Sequence, residues 1–240
     1  MSNVTKKIVQ FPLNNNEITN ITISKKKMKN LRLVVSRTGN IALSMPYSVS
    51  YSYAYDFLVR KRNWITTQLT KINSNLAKDS CNFINNGNIF IFGNSYTLIV
   101  EQSTKNKVIF DNGFKILTKD LNTDFIKAIF IKWCKKYFLN FFNNRLNYIY
   151  NQIFKDSNPP QIKIKSMKSM WGNCNFVKRI VTLNLYLAKT RLECIDYVIT
   201  HELCHLIHHN HSKDFHNLMT HLMPDWKERK KMLKEYSLKF

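Results

Sequence analysis

One apolar helix pattern near the C-terminal end of this 240-residue chain carries its densest group of metal-binding side chains. All seven histidines lie between His201 and His221, within 21 positions. The cluster begins with His201-Glu202-Leu203-Cys204-His205, inside a stripe of apolar residues at three- and four-residue steps: Ile195, Val198, Ile199, Leu203, Leu206 and Ile207. On a helix, H-E-x-x-H sets two imidazoles one turn apart with a carboxylate beside them. This pattern is typical of zinc hydrolases.

The identity of a third metal ligand depends on where that helix ends. A catalytic zinc takes three protein ligands and leaves the fourth position open. His208 shares nearly the same helix face as His201 but lies about 10 Å further along the axis, so it cannot reach the same ion. His211 can reach it if the helix ends near His209 and the chain turns back. Asn210 favours such an ending because it tolerates the left-handed backbone conformation.

The predicted ligand set is therefore His201, His205 and His211. The alternative third ligand is Glu228, since some zincins take a glutamate from a later helix. Its basic neighbours Lys227, Arg229, Lys230 and Lys231 favour an exposed helical position instead.

Glu202 follows the first ligand directly, which turns it about 100° away on the helix. It is placed to hold a water molecule and not to bind the metal. We expect zinc to lower the pKa of its water, and Glu202 to accept the proton and pass it to the leaving amine. The alternative is a zinc that only stabilises the fold, but such sites usually fill all four positions with Cys and His.

The remaining histidines have simpler interpretations. His208 and His209 belong to the end of the helix, where imidazolium interacts favourably with the helix dipole. His216 and His221 lie on a further helix predicted over Ser212 to Met223. Of these, His216 is a candidate to contact a metal ligand and not the metal itself. It follows the predicted third ligand, His211, within about one and a half helical turns.

The chain pattern predicts an α+β fold with two regions. Residues 1–120 form a β-rich N-terminal region with one helix, from about Ser50 to Leu76. Its predicted strands include a hairpin over Leu31 to Met45, closed at Thr38-Gly39-Asn40. Four more strands are predicted near Ile89 to Phe92, Tyr96 to Glu101, Lys107 to Phe110 and Phe114 to Leu117.

Residues 121–240 are predicted to form a zincin-like catalytic region in which the motif helix packs on a small sheet. A long helix from about Asn122 to Phe154 contains neither Pro nor Gly. Strands follow around Trp171-Gly172-Asn173-Cys174, and Arg179 to Asn184 is the candidate edge for an extended peptide. Thr190 and Glu193 match a capping box, which predicts the start of the motif helix.

A net charge of +22 is a common property of nucleic-acid-binding proteins, because Lys and Arg neutralise phosphates. The densest run is Lys25-Lys26-Lys27, followed by Lys29 and Arg32. Lys outnumbers Arg by 29 to 8, however, and the charge is spread along the chain, which an ordinary solvated surface also shows. A nucleic-acid-associated protein with a structural zinc, or a protease acting on DNA-bound proteins, therefore stays as the alternative function.

The chain lacks an 18-residue apolar run and a signal-peptide pattern at its first residues, so we expect no membrane contact and a cytoplasmic location. The five cysteines are widely spaced and form no C-x-x-C pair, which predicts reduced thiols. The pattern does not predict the oligomeric state.

Several short motifs carry a family resemblance: Trp171-Gly172-Asn173-Cys174, Ile195-Asp196-Tyr197-Val198, His201-Glu202-Leu203-Cys204-His205, Asn210-His211-Ser212 with Phe215, and Pro224-Asp225-Trp226. In this order they resemble the YgjP-like metallopeptidases, relatives of the SprT and Spartan-type zincins. The resemblance implies a zinc peptidase acting on peptide or protein substrates, with His201, His205 and His211 as ligands and Glu202 as the catalytic residue.

Two positions depart from the pattern of that family, because Met170 and Asn173 stand where it usually has Arg and Ser. The spacing from His201 to His211 also equals that of metzincins, with His208 in place of their glycine. Only 29 residues follow His211, which is too short for the downstream methionine turn of that group.

Overall fold

The computed structural model describes residues 6–14, 17–36, 39–78 and 80–240, and it confirms the α+β class. The chain divides into two compact units, Met1–Lys78 and Asp79–Phe240. None of the helices in the described ranges is both long and apolar enough to cross a bilayer.

The first unit contains a four-stranded sheet with the order β1-β2-β4-β3. Its strands are β1 (Lys6–Pro12), β2 (Ile18–Lys26), β3 (Arg32–Val35) and β4 (Ile41–Pro46). The central pair, β2 and β4, is parallel and the two outer pairs are antiparallel. One face buries alternate residues, among them Ile21, Ile23, Ile41, Leu43 and Met45, as strand geometry requires.

Two helices pack on the buried face of this sheet, whereas the sequence predicted one. Helix α1 (Tyr51–Arg60) begins after Ser50, whose hydroxyl accepts a hydrogen bond from the Tyr53 amide at 3.1 Å. Lys61 has a non-helical backbone (φ −97°, ψ 5°) and separates it from α2 (Arg62–Lys78).

Strands β3 and β4 confirm the predicted hairpin, although Thr38 of its predicted turn lies outside the described residues. Sequence reasoning did not place β1 or β2. Each has an exposed isoleucine, Ile8 in β1 and Ile18 in β2, and each carries Lys or Asn, so the apolar alternation along these strands is irregular.

The second unit begins with a four-stranded sheet that matches the predicted strands. They are β5 (Gly87–Ile91), β6 (Asn94–Gln102), β7 (Lys107–Phe110) and β8 (Phe114–Thr118), in the order β5-β6-β8-β7. The 31-residue helix α3 (Thr123–Ile153) confirms the predicted long helix. Its buried residues fall mostly four apart: Ile126, Phe130, Cys134, Phe138, Phe142, Leu146 and Tyr150.

Helix α3 contacts β7 and β8 and also β9 and the motif helix, so the buried hydrophobic residues from Phe83 to Phe240 form one core. The division at Lys78 therefore differs from the predicted division at residue 120. Because strands β5–β8 pack on α3, they belong with the catalytic region and not with the N-terminal sheet.

A three-stranded sheet supports the motif helix, as the sequence predicts. It consists of β9 (Gln161–Lys165), β10 (Gly172–Asn175) and β11 (Ile180–Asn184), in the order β10-β11-β9. A short 3₁₀ helix (Leu185–Lys189) leads into α4 (Leu192–Cys204), and α5 (Lys213–Leu222) and α6 (Trp226–Leu233) follow. Helix α4 contacts β10, β11 and the three helices α3, α5 and α6.

Candidate metal centre

The part of helix α4 that precedes the H-E-x-x-H motif is held in a fixed position. Every residue from Cys194 to Thr200 is buried, including Asp196. The Asp196 carboxylate accepts two hydrogen bonds from the Arg145 guanidinium of α3, at 2.6 and 2.7 Å. Such paired, charge-assisted bonds fix orientation as well as position. The end of α4 is therefore a rigid platform.

The residues at the start of α4 do not form the predicted capping box of Thr190 and Glu193. Its N-cap is Arg191, which makes no side-chain capping bond. The Thr190 hydroxyl instead donates to the Leu187 carbonyl at 2.9 Å, because Thr190 ends the preceding 3₁₀ helix.

Three imidazoles converge at the other end of α4: His201, His205 and His211. One ring nitrogen from each lies within 4.8 Å of the others. The Nε2 atoms of His201 and His211 are 3.0 Å apart. His201 and His205 are half-buried, whereas His211 is exposed.

The chain brings His211 back by ending α4 early and tightly. The last helical residue is Cys204, and the His208 amide closes the turn by donating to the Cys204 carbonyl at 2.9 Å. Asn210 does not adopt the left-handed conformation expected of it. Its side-chain oxygen instead accepts from the Ser212 amide at 3.1 Å, which shapes the turn into α5.

The turn also orients the second imidazole. Nδ1 of His205 lies 3.0 Å from the His208 carbonyl oxygen. A carbonyl can only accept, so Nδ1 carries the proton and Nε2 keeps its lone pair. A fixed tautomer of this kind is common among metal-binding histidines.

Phe215 of α5 forms an apolar floor beneath all three rings. Its ring centroid lies 5.0 Å from that of His201, 4.6 Å from that of His205 and 4.9 Å from that of His211. The Phe215 side chain is itself buried. One side chain thus contacts every member of the cluster.

Glu202 is 6% exposed and lies against β10. A Cβ atom at Gly172 would be 2.5 Å from Glu202 Oε1 and 2.8 Å from Glu202 Cγ, so only glycine allows this approach. Burial raises the pKa of Glu202 to about 8.

Burial has the opposite effect on the histidines, because it disfavours their charged form. It lowers the pKa of His201 to about 3, with further lowering from His205 and His211. The pKa of His211 is lowered by burial first and by His205 second. At neutral pH the imidazoles of His201 and His211 are therefore uncharged, which is the form that binds metals.

The structure places a different strand at the free edge than the sequence predicted. Strand β11 pairs with β10 on one side and β9 on the other, so the predicted edge, Arg179 to Asn184, is central. The edge strand beside α4 is β10. Because the Asn184 amide bonds to the Trp171 carbonyl, the antiparallel register directs the backbone groups of Gly172 and Cys174 away from β11.

With this geometry, one comparison is decisive: residues 29–236 match the family model described as YgjP-like, metallopeptidase domain. The chain belongs to the YgjP-like metallopeptidases. It is therefore a peptide hydrolase, and membership of this family implies a metal cofactor.

Two solved structures are similar to part of this YgjP-like chain, and both are metallopeptidase zymogens. The match to Pyrococcus abyssi abylysin has 21% sequence identity and a TM-score of 0.36. It covers 38% of this chain and 90% of the abylysin chain. The match to Methanocaldococcus jannaschii jannalysin has 24% sequence identity and a TM-score of 0.34. It covers 38% of this chain and 92% of the jannalysin chain. No curated protein matches this chain.

The other histidines of this YgjP-like protein lie outside the converging group. His209 stacks on Phe176 of the β10–β11 turn, with ring centroids 3.6 Å apart. His216 lies parallel to Trp226 at 5.5 Å and is 6.4 Å from the ring of His211. His221 lines a separate cavity of about 300 Å³.

Glu228, the alternative third ligand, does not approach the imidazoles. It lines a groove with Arg191, Lys231 and Tyr236. Within the described ranges, His201, His205 and His211 are the only group of His, Cys, Asp or Glu residues that could hold an ion.

The two positions that depart from the family pattern lie beside the edge strand. The Met170 side chain is 45% exposed, and its carbonyl accepts from the Asn184 side chain at 2.7 Å. Asn173 is exposed on β10. Both side chains are therefore accessible to solvent beside this sheet edge.

Sequence reasoning did not assign roles to Gly172, Phe215 or Trp226, although all three lie in the motifs that carry the family resemblance. The four-residue step from His211 to Phe215 could have indicated a contact across one turn. The close approach of Gly172 to Glu202 has no local signal, because it joins two elements 30 residues apart.

Proposed function

We propose that this metallopeptidase uses a single zinc ion, bound by His201, His205 and His211, with Glu202 as general base. The observation that carries the proposal is the convergence of three ring nitrogens within 4.8 Å beside a buried glutamate. A catalytic zinc takes three protein ligands, and the turn after α4 brings His211 to the two helical imidazoles as the third.

The donor set fits zinc. Zinc binds imidazole nitrogen at about 2.0–2.1 Å, so ligands on one tetrahedral ion lie about 3.3 Å apart. The 3.0 Å between the Nε2 atoms of His201 and His211 is close to that value. When bound, zinc supplies a Lewis acid that polarises the scissile carbonyl and makes water more acidic.

Glu202 moves the proton in this proposal. Its carboxylate takes a proton from the attacking water and delivers it to the leaving amine. A raised pKa makes the ionised carboxylate of Glu202 a stronger base than that of an exposed glutamate. A zinc ion in the site would lower this pKa again, because a neighbouring positive charge favours the carboxylate that the base must be. Its backbone is fixed by α4 and its side chain by Gly172, so little reorganisation is needed.

The arrangement favours a catalytic over a structural zinc. A structural site would normally take a fourth Cys or His. The nearest candidate in sequence, Cys204, is buried with its sulfur 3.4 Å from Met219 Sδ. The described residues offer no fourth donor to the three imidazoles, which leaves a position for water.

The free edge of β10 is the proposed binding site for the peptide backbone. An extended peptide can add to this edge through the backbone groups of Gly172 and Cys174. Gly172 also contacts the Glu202 carboxylate, so a peptide paired there lies next to the base. The buried side chain of Asn184 supports this edge by bonding to the Met167 and Met170 carbonyls at 2.8 and 2.7 Å.

The test is hydrolysis of an unstructured protein, such as casein, by zinc-loaded wild type and by Glu202→Gln. The variant should keep one zinc per chain and lose activity about 10²- to 10⁴-fold. Glu193→Gln changes an exposed glutamate of the same helix and should retain full activity. Full activity of Glu202→Gln would refute the role of Glu202, and activity that persists after complete metal removal would refute the role of zinc.

A second candidate function rests on cations and aromatic rings in the first unit. Lys7 and Lys25 lie 5.3 and 5.1 Å from the ring centroid of Tyr51, and Arg60 lies 5.6 Å from that of Tyr53. Positive charge beside aromatic rings is the usual basis of single-stranded nucleic-acid binding. If the chain both hydrolyses peptides and binds nucleic acid, its substrates would be proteins bound to nucleic acid.

Salt-dependent binding of a single-stranded oligonucleotide to the full chain tests this candidate. Tyr51→Ala and Tyr53→Ala should weaken binding about 10-fold each, because a stacked base contributes about 1–3 kcal/mol. Equal affinity of these variants and the wild type would exclude this surface.

A further inference from the structure

An aromatic stack joins the turn after β10 to the turn that carries His211. The ring of Phe176 lies parallel to that of His209, with centroids 3.6 Å apart and an interplanar angle of 11°. Nδ1 of His209 lies 3.2 Å from the His205 carbonyl oxygen, which holds this imidazole at the end of α4. These two contacts place Phe176 beside the segment that carries two of the proposed ligands, His205 and His211.

Hydrogen bonds hold the turn that carries Phe176. The Asn175 side-chain oxygen accepts from the Lys178 amide at 2.9 Å, and the Arg179 amide donates to the Phe176 carbonyl at 3.4 Å. The Arg179 guanidinium also donates to the Tyr150 hydroxyl of α3 at 2.8 Å, which ties the turn to the core. Phe176 is therefore held at its backbone by the turn and at its ring by the stack.

One face of the Phe176 ring is open. Although His209 covers the other face, 39% of Phe176 is exposed. An aromatic ring that already has a fixed position loses little conformational entropy when it binds an apolar group. The open face is therefore suited to bind an apolar side chain of a ligand.

Phe176 also lies in line with the proposed peptide-binding edge, because it directly follows the last residue of β10. Gly172 and Cys174 are two residues apart, so they point to the same face of the strand, and Gly172 meets Glu202 of α4 there. Both are less exposed than the residues that follow them. Phe176 is two residues further on, and its stack with His209 agrees with a position on this same face.

We propose that the open face of Phe176 binds an apolar side chain of the substrate, about four residues from the scissile bond. The occupant is the substrate peptide, paired with the edge of β10. This inference rests on the proposed function, because the contact of Gly172 with Glu202 marks where the cleaved bond lies. A strand advances about 3.3 Å per residue, so Phe176 lies about 13 Å along the edge from Gly172. A paired peptide has the same repeat, so its fourth residue from that point reaches the ring.

A purely structural role for Phe176 predicts a different result. If the stack only held the turn that carries His211, removing the ring would lower the zinc content and slow the cleavage of all peptides equally. A substrate-binding role raises KM only for peptides with a suitably placed apolar residue. The ratio of two peptides cleaved by the same sample separates the two roles, because a lower zinc content cancels from the ratio.

The experiment uses matched peptides of Ser, Asn and Gln that carry a single Phe, Ala or Asp at the centre. They are long enough to allow cleavage on either side, because a peptide can pair with the edge in either direction. Cleavage is measured as kcat and KM with wild type, Phe176→Ala, Phe176→Leu and Val177→Ala, and the cleaved bond is located by mass spectrometry. The control is Val177→Ala, which removes a neighbouring side chain that is 78% exposed.

Affinity is measured separately for the same peptides on zinc-loaded Glu202→Gln and on that variant combined with Phe176→Ala. The Phe peptide should bind about 10-fold more tightly than the Ala peptide, as expected for an aromatic ring packed on another. Wild type should show the same preference through KM and should cleave about four residues from the Phe. Phe176→Ala should abolish the preference, Phe176→Leu should keep most of it, and Val177→Ala should leave it unchanged.

Equal binding of the Phe and Ala peptides, or an unchanged preference in Phe176→Ala, would overturn the inference. Cleavage at a different fixed distance from the Phe would also overturn it. Selective binding that Phe176→Ala abolishes, without any hydrolysis, would support the role of Phe176 and contradict the proposed peptidase mechanism. Hydrolysis without selectivity would contradict the role of Phe176 and leave the proposed function intact.

Discussion

The two sides of the histidine cluster are built in different ways. On one side, His201, Glu202 and His205 come from the end of α4, a helix that is buried from Cys194 to Thr200 and whose Asp196 is paired with Arg145. On the other side, His211 is exposed and follows a turn that is not helical. The first side is fixed by the core, whereas the second is fixed by a few contacts of α5.

This difference suggests a division of roles. The rigid side carries the proposed base, Glu202, and two of the proposed ligands, and in the proposed mechanism their relative positions must not change during the reaction. The side formed by the turn and α5 would complete the proposed metal site by holding His211. Changes on the two sides should therefore have separable effects on metal binding and on catalysis.

Phe215→Ala should have the largest effect, because it removes a buried side chain that contacts all three imidazoles. The loss of a buried aromatic ring should lower the free energy of unfolding by about 3–5 kcal/mol. Zinc affinity should fall as well, since His211 loses its support. Denaturant unfolding and competitive zinc titration measure the two effects. Unchanged zinc affinity in the folded variant would show that the turn holds His211 without α5.

Gly172→Ala tests the rigid side. The added methyl group would lie within 3 Å of the Glu202 carboxylate, so either β10 or Glu202 must move. Displacing the base by about 1 Å should lower kcat about 100-fold, while the three imidazoles stay in place. Steady-state kinetics and metal analysis of the same sample provide the measurement. A parallel loss of zinc would mean that the two sides are not separable.

Ser212→Ala should have the smallest effect of the three. Ser212 is the N-cap of α5 and accepts from the Phe215 amide at 3.3 Å. Removing this cap should cost about 1 kcal/mol and weaken zinc binding slightly. Ser50→Ala removes the same type of cap from α1 and should leave zinc binding unchanged. Equal zinc affinity in both variants would contradict a role for the α5 cap in placing His211.

The same contrast explains which features the sequence predicts. The spacing of His201 and His205 and the four-residue repeat of α3 are local patterns, so they predict the helices directly. The prediction that Arg179 to Asn184 is an edge strand was wrong, because strand order depends on pairing between distant segments, here β9 with β11. The division at residue 120 likewise missed the packing of β5–β8 on α3.

Side chains that act across elements were the hardest to predict. Gly172 of β10 meets Glu202 of α4, a contact between elements 30 residues apart that no local sequence pattern indicates. Thr190 matched a capping box but ends a 3₁₀ helix that the sequence pattern did not indicate. His211 was predicted correctly as a neighbour of the motif, although Asn210 turns the chain by a side-chain hydrogen bond and not by a left-handed backbone.

The measurement that tests the central claim most directly is the zinc content of purified wild type beside His211→Ala and His221→Ala. His211 belongs to the converging group, whereas His221 is an exposed histidine of α5 that lines a separate cavity. We predict one zinc per chain in the wild type and in His221→Ala, and little or none in His211→Ala. A full equivalent of zinc in His211→Ala would contradict the three-histidine site.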